Sequence, residues 1–227
     1  MQCYLSPIVC DEKNMIVGLF IEYPKSLTHA DMERGARPTK PAVIGIGCNN
    51  AVVECEDEEK EGELQLETLK KVFKRAITEF KENRGWAPLR IFVYILGVSD
   101  ADRTFREGEA AGIVVDKTIL NPSYCEFILQ SAVPAQGTAR CMKYTLLAES
   151  KELTMDQVQH LTWALTHRHD YTDRTIAHPA PVRVASDAAA RGRALFDFEK
   201  TKEPYDLESV NQRFSTEFNA LKGKRTV

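Results

Sequence analysis

One amphipathic stretch set among short apolar runs constrains the fold most. Between Glu63 and Phe80, the residues Leu66, Leu69, Val72, Phe73, Ile77 and Phe80 recur at three- and four-residue steps. That spacing puts them on one face of a helix. Lys70, Lys71, Lys74, Glu79 and Lys81 fall elsewhere and are expected in solvent. A helix with one apolar face must bury it against another element. The flanking runs Met15–Ile21 (MIVGLFI), Ala42–Gly47 (AVIGIG), Ala51–Cys55 and Leu89–Ile95 (LRIFVYI) supply strands for that purpose. Asn49-Asn50 reads as the turn of a hairpin. Pro24 closes the first run, because proline cannot donate to a sheet ladder. Residues 25–41 are polar and read as a long loop, and Gly85 and Pro88 end the helix. The order strand, strand, strand, helix, strand suits a mixed sheet with helices packed on it.

The second half continues in the same manner. Ile113–Val115, Tyr124–Gln130 and Lys143–Ala148 read as strands. Thr154 to Gln157 has the Thr-x-x-Gln pattern of a capping box, opening a helix with Val158, Leu161 and Leu165 on one face. Pro179-Ala180-Pro181 precedes an alanine-rich helix, Val182–Phe198, with Pro181 suited to its first turn. A last amphipathic helix, Leu207–Leu221, leads to a basic tail, Lys222 to Arg225. No linker composition interrupts the chain. The expected layout is an N-terminal extension over 1–14, one domain over 15–200, and a C-terminal helix and tail over 201–227.

Composition removes several classes. The 227 residues are 43% hydrophobic and 28% charged, as in an ordinary globular chain. No stretch reaches the apolar length that spans a bilayer. Met1–Asn14 has neither a basic n-region nor an apolar h-region, so a cytosolic or nuclear setting and no membrane partner are expected. Six cysteines make no CxxC pair and fit no zinc module, so free thiols are expected. The net charge of −3 does not announce a nucleic-acid binder. Its distribution is less neutral. Acids crowd Glu54–Glu63, whereas Arg140, Lys143, Arg168, Arg174, Arg183, Arg191 and Arg193 lie in the second half. Interleaved acids there fit a mixed surface as well as a basic groove.

Several segments resemble the PIWI domain of the Argonaute family. Leu161-Thr162-Trp163-Ala164-Leu165-Thr166-His167, Asp173-Arg174-Thr175, Pro179-Ala180-Pro181 and Arg191-Gly192-Arg193 are similar to the family's L-T-x-x-L-C-H, T-R-S-like, P-A-P and R-x-R segments. Upstream, Gln136 to Tyr144 resembles Q-G-T-x-R-P-x-x-Y, with Cys141 in place of the proline. Gly112 to Ile119 resembles G-T-V-V-D-x-x-I. Order and spacing agree from Gly112 to Arg193. More loosely, Gly18 to Pro24 resembles G-x-D-V-x-H-P, and Tyr94 to Ser99 resembles Y-R-D-G-V-S. The resemblance implies an α/β, ribonuclease-H-like fold, a mixed sheet flanked by helices. It also implies two absences: the N, PAZ and MID regions, and a helix-strand segment between Ser99 and Gly112 that carries a catalytic glutamate in the family.

By the same resemblance, slicing is not expected. Slicer Argonautes hold two divalent ions with carboxylates, and magnesium demands hard oxygen ligands. The family's metal-ligand positions fall on Phe20, Leu96 and Ser186. Glu22, Asp100 and Asp187 lie nearby in sequence as weak substitutes. No catalytic residue, metal or cofactor is therefore assigned. Guide contacts are expected to go mainly to phosphates. Arg191 matches the arginine near the guide 5′ phosphate, Arg140 and Arg174 match positions near the seed backbone, and Arg193 completes R-x-R. Tyr171 stands where the family has an arginine and Arg183 where it has a tyrosine. The implied partners are a small single-stranded guide RNA with its target RNA, and tryptophan-containing disordered silencing proteins. A protein-interaction remnant without RNA binding, or a truncated product without stable function, remain the alternatives.

Overall fold

In the computed structural model the described residues are 11–22, 40–48, 51–56, 66–96, 111–116, 120, 123–132, 141–147, 153–168, 172, 174–198 and 206–220. They fall into two compact units, one over Met1–Glu12 with Asp100–Ala180, the other over Lys13–Ser99 with Pro181–Val227.

The larger unit is built on a four-stranded sheet. Its strands are β1 (Asn14–Glu22), β2 (Ala42–Gly47), β3 (Ala51–Glu56) and β4 (Arg90–Leu96), in the order β3-β2-β1-β4. β1 pairs antiparallel with β2 and parallel with β4, so the sheet is mixed, as expected. β2 and β3 pair as the hairpin reading required, although Asn49-Asn50 lie outside the described residues. β2 is buried along its whole length, which explains its uninterrupted apolar sequence.

Helix α1 (Leu66–Arg84) covers one face of this sheet. Val72, Ala76 and Phe80, with Leu69, Phe73 and Ile77, pack on Met15, Val17, Leu19, Ile44 and Ile46. The helix ends at Gly85, whose φ of 80° and N–H bond to the Lys81 carbonyl at 2.8 Å make a left-handed cap. Glu79 departs from the sequence reading. It is buried, 3.5 Å from Arg75 Nε, and Arg75 Nη2 donates to Ser215 Oγ at 3.3 Å. Ser215 belongs to α4 (Leu207–Ala220), so a second helix meets the flank of α1 that periodicity alone assigns to water.

The opposite face carries α3 (Ala180–Phe198). It approaches through glycines. A Cβ on Gly18 would stand 2.1 Å from the Pro181 carbonyl carbon, one on Gly47 2.1 Å from the Pro181 oxygen, and one on Gly45 2.0 Å from the Ala185 oxygen. Gly18 and Gly47 are cross-strand partners, so together they form a bare bed for the first turn of the helix. Ala188 and Ala189 then pack with Val43, Phe196, Val210 and Phe214, and Phe20 joins this cluster. α4 lies against β3 and closes the layer.

The smaller unit holds a three-stranded antiparallel sheet, β5 (Ile113–Val115), β6 (Glu126–Gln130) and β7 (Met142–Thr145), with β6 central and fully buried. Phe127 and Tyr144 are cross-strand partners with stacked rings 4.9 Å apart. Glu126 is buried but satisfied, 2.8 Å from Lys143 Nζ and accepting from Thr145 Oγ1 at 2.9 Å. α2 (Met155–Thr166) opens with the expected capping box at Thr154 and Gln157.

Candidate nucleic-acid interface

The helix α3 carries three of the arginines singled out in the sequence, and it treats them differently. Successive residues on a helix are about 100° apart, so an R-x-R pair is separated by about 200° and points to opposite sides. Arg191 is exposed and makes no hydrogen bond or ion pair with another described residue. Arg193 turns inward with its side chain only 12% exposed. Its Nη2 donates to the Pro41 carbonyl at 2.7 Å and the Glu22 carbonyl at 3.3 Å, while Nε lies 3.9 Å from Glu22 Oε1. Arg193 thus ties α3 to the end of β1 and the entry of β2. Arg183 is exposed, but its Nε is 3.1 Å from Asp187 Oδ1 one turn along. That pair is solvent-screened and worth little, so Arg183 can exchange Asp187 for another anion at small cost.

Arg174 belongs to the smaller unit and is exposed. Its backbone N–H donates to Thr172 Oγ1 at 3.1 Å, which shapes the turn that presents it. Arg140 and Tyr171 lie outside the described residues, as does Asp100.

The other quoted motifs turn out to be architectural. In Leu161-Thr162-Trp163-Ala164-Leu165-Thr166-His167, the leucines and threonines are buried. The Thr162 and Thr166 hydroxyls donate to the Val158 and Trp163 carbonyls at 2.8 Å each, so neither is left unpaired. His167 caps the helix, with its backbone N–H to Ala164 O and its Nδ1 3.0 Å from Trp163 O. Trp163 also lies beside Gly112, which has a φ of 89° and whose added Cβ would meet the indole at 3.2 Å. Pro179-Ala180-Pro181 delivers the carbonyl that rests on Gly18 and Gly47.

Two of the positions compared with metal ligands are neighbours in the sheet. Phe20 on β1 and Leu96 on β4 are direct cross-strand partners. Both are partly buried, and Phe20 packs among the apolar residues beneath α3, the helix that carries Ser186. Glu22 and Asp187 are engaged with Arg193 and Arg183.

A family model described as the Piwi domain matches residues 103–197. Argonaute protein wago-1 of Caenorhabditis elegans is 26% identical in a match covering 89% of this chain and 27% of the relative. The chain carries a Piwi domain and is similar to Argonaute proteins over most of its length. Protein argonaute-2 of Drosophila melanogaster is 38% identical over 107 residues, 45% of this chain and 9% of that protein. The chain thus spans about a quarter of the length of wago-1. The wago-1 match runs over 255 positions, more than the 227 residues here, so the relative carries additional residues inside the matched span. Solved structures agree on the fold. Drosophila Piwi superposes with a TM-score of 0.61 at 17% identity, covering 83% of this chain and 30% of that one. Kluyveromyces polysporus Argonaute with a guide RNA gives 0.66 at 15% identity, covering 81% and 27%. The ribonuclease-H-like PIWI fold expected from the sequence is therefore the fold of this chain.

Proposed function

We propose that this chain is a non-catalytic PIWI protein that binds small single-stranded guide RNA through phosphate contacts and acts in RNA-mediated silencing, in the cytosol or nucleus. The observation that carries the reading is Arg191. It is a guanidinium on a rigid helix, exposed and uncommitted among the described residues, at the position the family resemblance gives to guide-phosphate binding. A planar guanidinium bonds phosphate bidentately and stays charged. Argonaute relatives, one solved with a guide RNA, make silencing the natural setting.

The absence of slicing rests on donor chemistry. A two-metal centre needs several carboxylates around two hard cations. Phe20 and Leu96 offer hydrocarbon and Ser186 a lone hydroxyl, so this set does not fit magnesium. Glu22 and Asp187, acids close by in sequence, are paired with Arg193 and Arg183. No hydrolytic step is derived through a metal.

The test is fluorescence anisotropy with a short 5′-phosphorylated RNA, followed by incubation of the complex with complementary RNA and magnesium or manganese. The expected result is saturable binding and an intact target. Target cleavage would overturn the catalytic part of the reading. Absence of binding by a protein that melts cooperatively would overturn the guide part and favour the protein-interaction reading, including tryptophan-bearing partners. The observation on which that second reading stands is the set of apolar side chains left exposed on the larger unit.

A further inference from the structure

The sheet of the larger unit has two unlike edges. β3, at one end, has the sequence AVVECE, with two glutamates, and α4 lies against it. β4, at the other end, has the sequence RIFVYIL, whose only charge is at its first residue. No strand flanks β4 on its outer side among the described residues. Edge strands are normally blunted by charge, proline or a covering element, because an open ladder recruits other strands. β4 carries no charge and no proline over Ile91–Leu96, and no described strand covers it. Its alternation also runs the wrong way for a water-facing strand. Ile91, Val93 and Ile95 are 41%, 41% and 44% exposed, with Leu89 at 68% and Trp86 at 44% just before them.

We propose that β4 pairs antiparallel with β4 of a second copy of this chain, joining two four-stranded sheets into one. The sequence is self-complementary about Val93. With Val93 opposite its own symmetry mate, Ile91 faces Ile95 and Phe92 faces Tyr94, in both directions. The three exposed β-branched residues then form one apolar row across the two-fold axis, the kind of cross-strand pairing that stabilises antiparallel ladders. Arg90 falls opposite Leu96, so no like charges meet. The acidic, helix-flanked β3 edge makes a poor partner for β4, so the contact closes as a two-fold dimer and does not propagate into a filament.

The contact is small. Edge pairing covers Ile91, Val93 and Ile95 along one side only, because they project from the sheet face, and Trp86 and Leu89 lie before the paired strand. The area hidden therefore falls at the low end for specific interfaces, below about 1,200 Å². A contact of this size makes a weak dimer, so the concentrations to compare run from about 1 to 100 µM.

Sedimentation velocity over that concentration range tests this. The wild type is expected to pass from monomer to dimer. Val93→Lys sets two ammonium groups opposite each other, and so does Val93→Glu for carboxylates; each alone is expected to weaken the dimer at least tenfold. An equimolar mixture of the two variants is expected to restore it. Leu147→Lys, an exposed apolar site in the other unit, is expected to dimerise as the wild type does. A wild type that stays monomeric throughout overturns the proposal, whatever the variants do. So does a Val93→Lys protein that dimerises like the wild type, or folded charge variants that do not recombine.

Discussion

Replacing Gly45 with alanine adds one methyl group at the closest approach of helix and sheet. The new Cβ would stand 2.0 Å from the Ala185 oxygen and 2.9 Å from the Ala189 nitrogen. Both are backbone atoms of α3, so no rotamer change relieves the clash. Restoring an ordinary contact of about 3.4 Å requires α3 to lift by more than 1 Å, which also opens the packing of Ala188, Ala189 and Phe20 beneath it. Overpacking typically costs 1–3 kcal/mol, and a rigid neighbour puts this case at about 3 kcal/mol or above. Gly85→Ala is the matched control. Its added Cβ meets nothing within 4 Å, so only the backbone cost at a φ of 80° remains, about 1 kcal/mol. In a chain of this size 1 kcal/mol lowers Tm by roughly 2–4 °C. Thermal melts followed by circular dichroism should therefore separate the variants, with Gly45→Ala lower by about 6–12 °C and Gly85→Ala by about 2–4 °C. Equal shifts, or a harmless Gly45→Ala, would refute the close packing of α3 on the glycine bed.

Three further outcomes are expected. Arg193→Ala removes charged hydrogen bonds to the Glu22 and Pro41 carbonyls and should lower stability by about 2–3 kcal/mol in urea titrations. Arg191→Ala, two residues away but exposed, should stay within about 0.5 kcal/mol of the wild type in the same titration. Thr154→Ala breaks the capping box of α2 and should cost about 1 kcal/mol, read from the same denaturation curves.

Much of the fold is written in local periodicity. The 3.6-residue pattern of α1, the apolar runs of β1, β2 and β4, and the capping box of α2 each follow from spacing within a few residues. What was not legible depends on segments far apart in sequence. Glu79 is buried beside Arg75, which itself reaches Ser215 of α4, over a hundred residues later. Gly18, Gly45 and Gly47 look like weak points in their strands until Pro181 and Ala185 are placed over them. The division into two units leaves no linker signal, because the larger one is assembled from Lys13–Ser99 and Pro181–Val227. For the site, the resemblance grouped Arg191 and Arg193 among the guide contacts, whereas helical geometry turns them to opposite sides. Which of the two faces inward depended on the Glu22 and Pro41 carbonyls, contributed by β1 and the residue before β2.

The most direct test of guide binding is the salt dependence of affinity for a 5′-phosphorylated single-stranded RNA, measured for wild type, Arg191→Ala and the exposed control Leu147→Ala. A single-strand phosphate contact contributes about 0.7 to the slope of log affinity against log salt. Guide binding through Arg191 predicts roughly tenfold weaker binding in Arg191→Ala, a slope shallower by about 0.7, and no change in Tm. An Arg191→Ala protein with wild-type affinity and slope would contradict it.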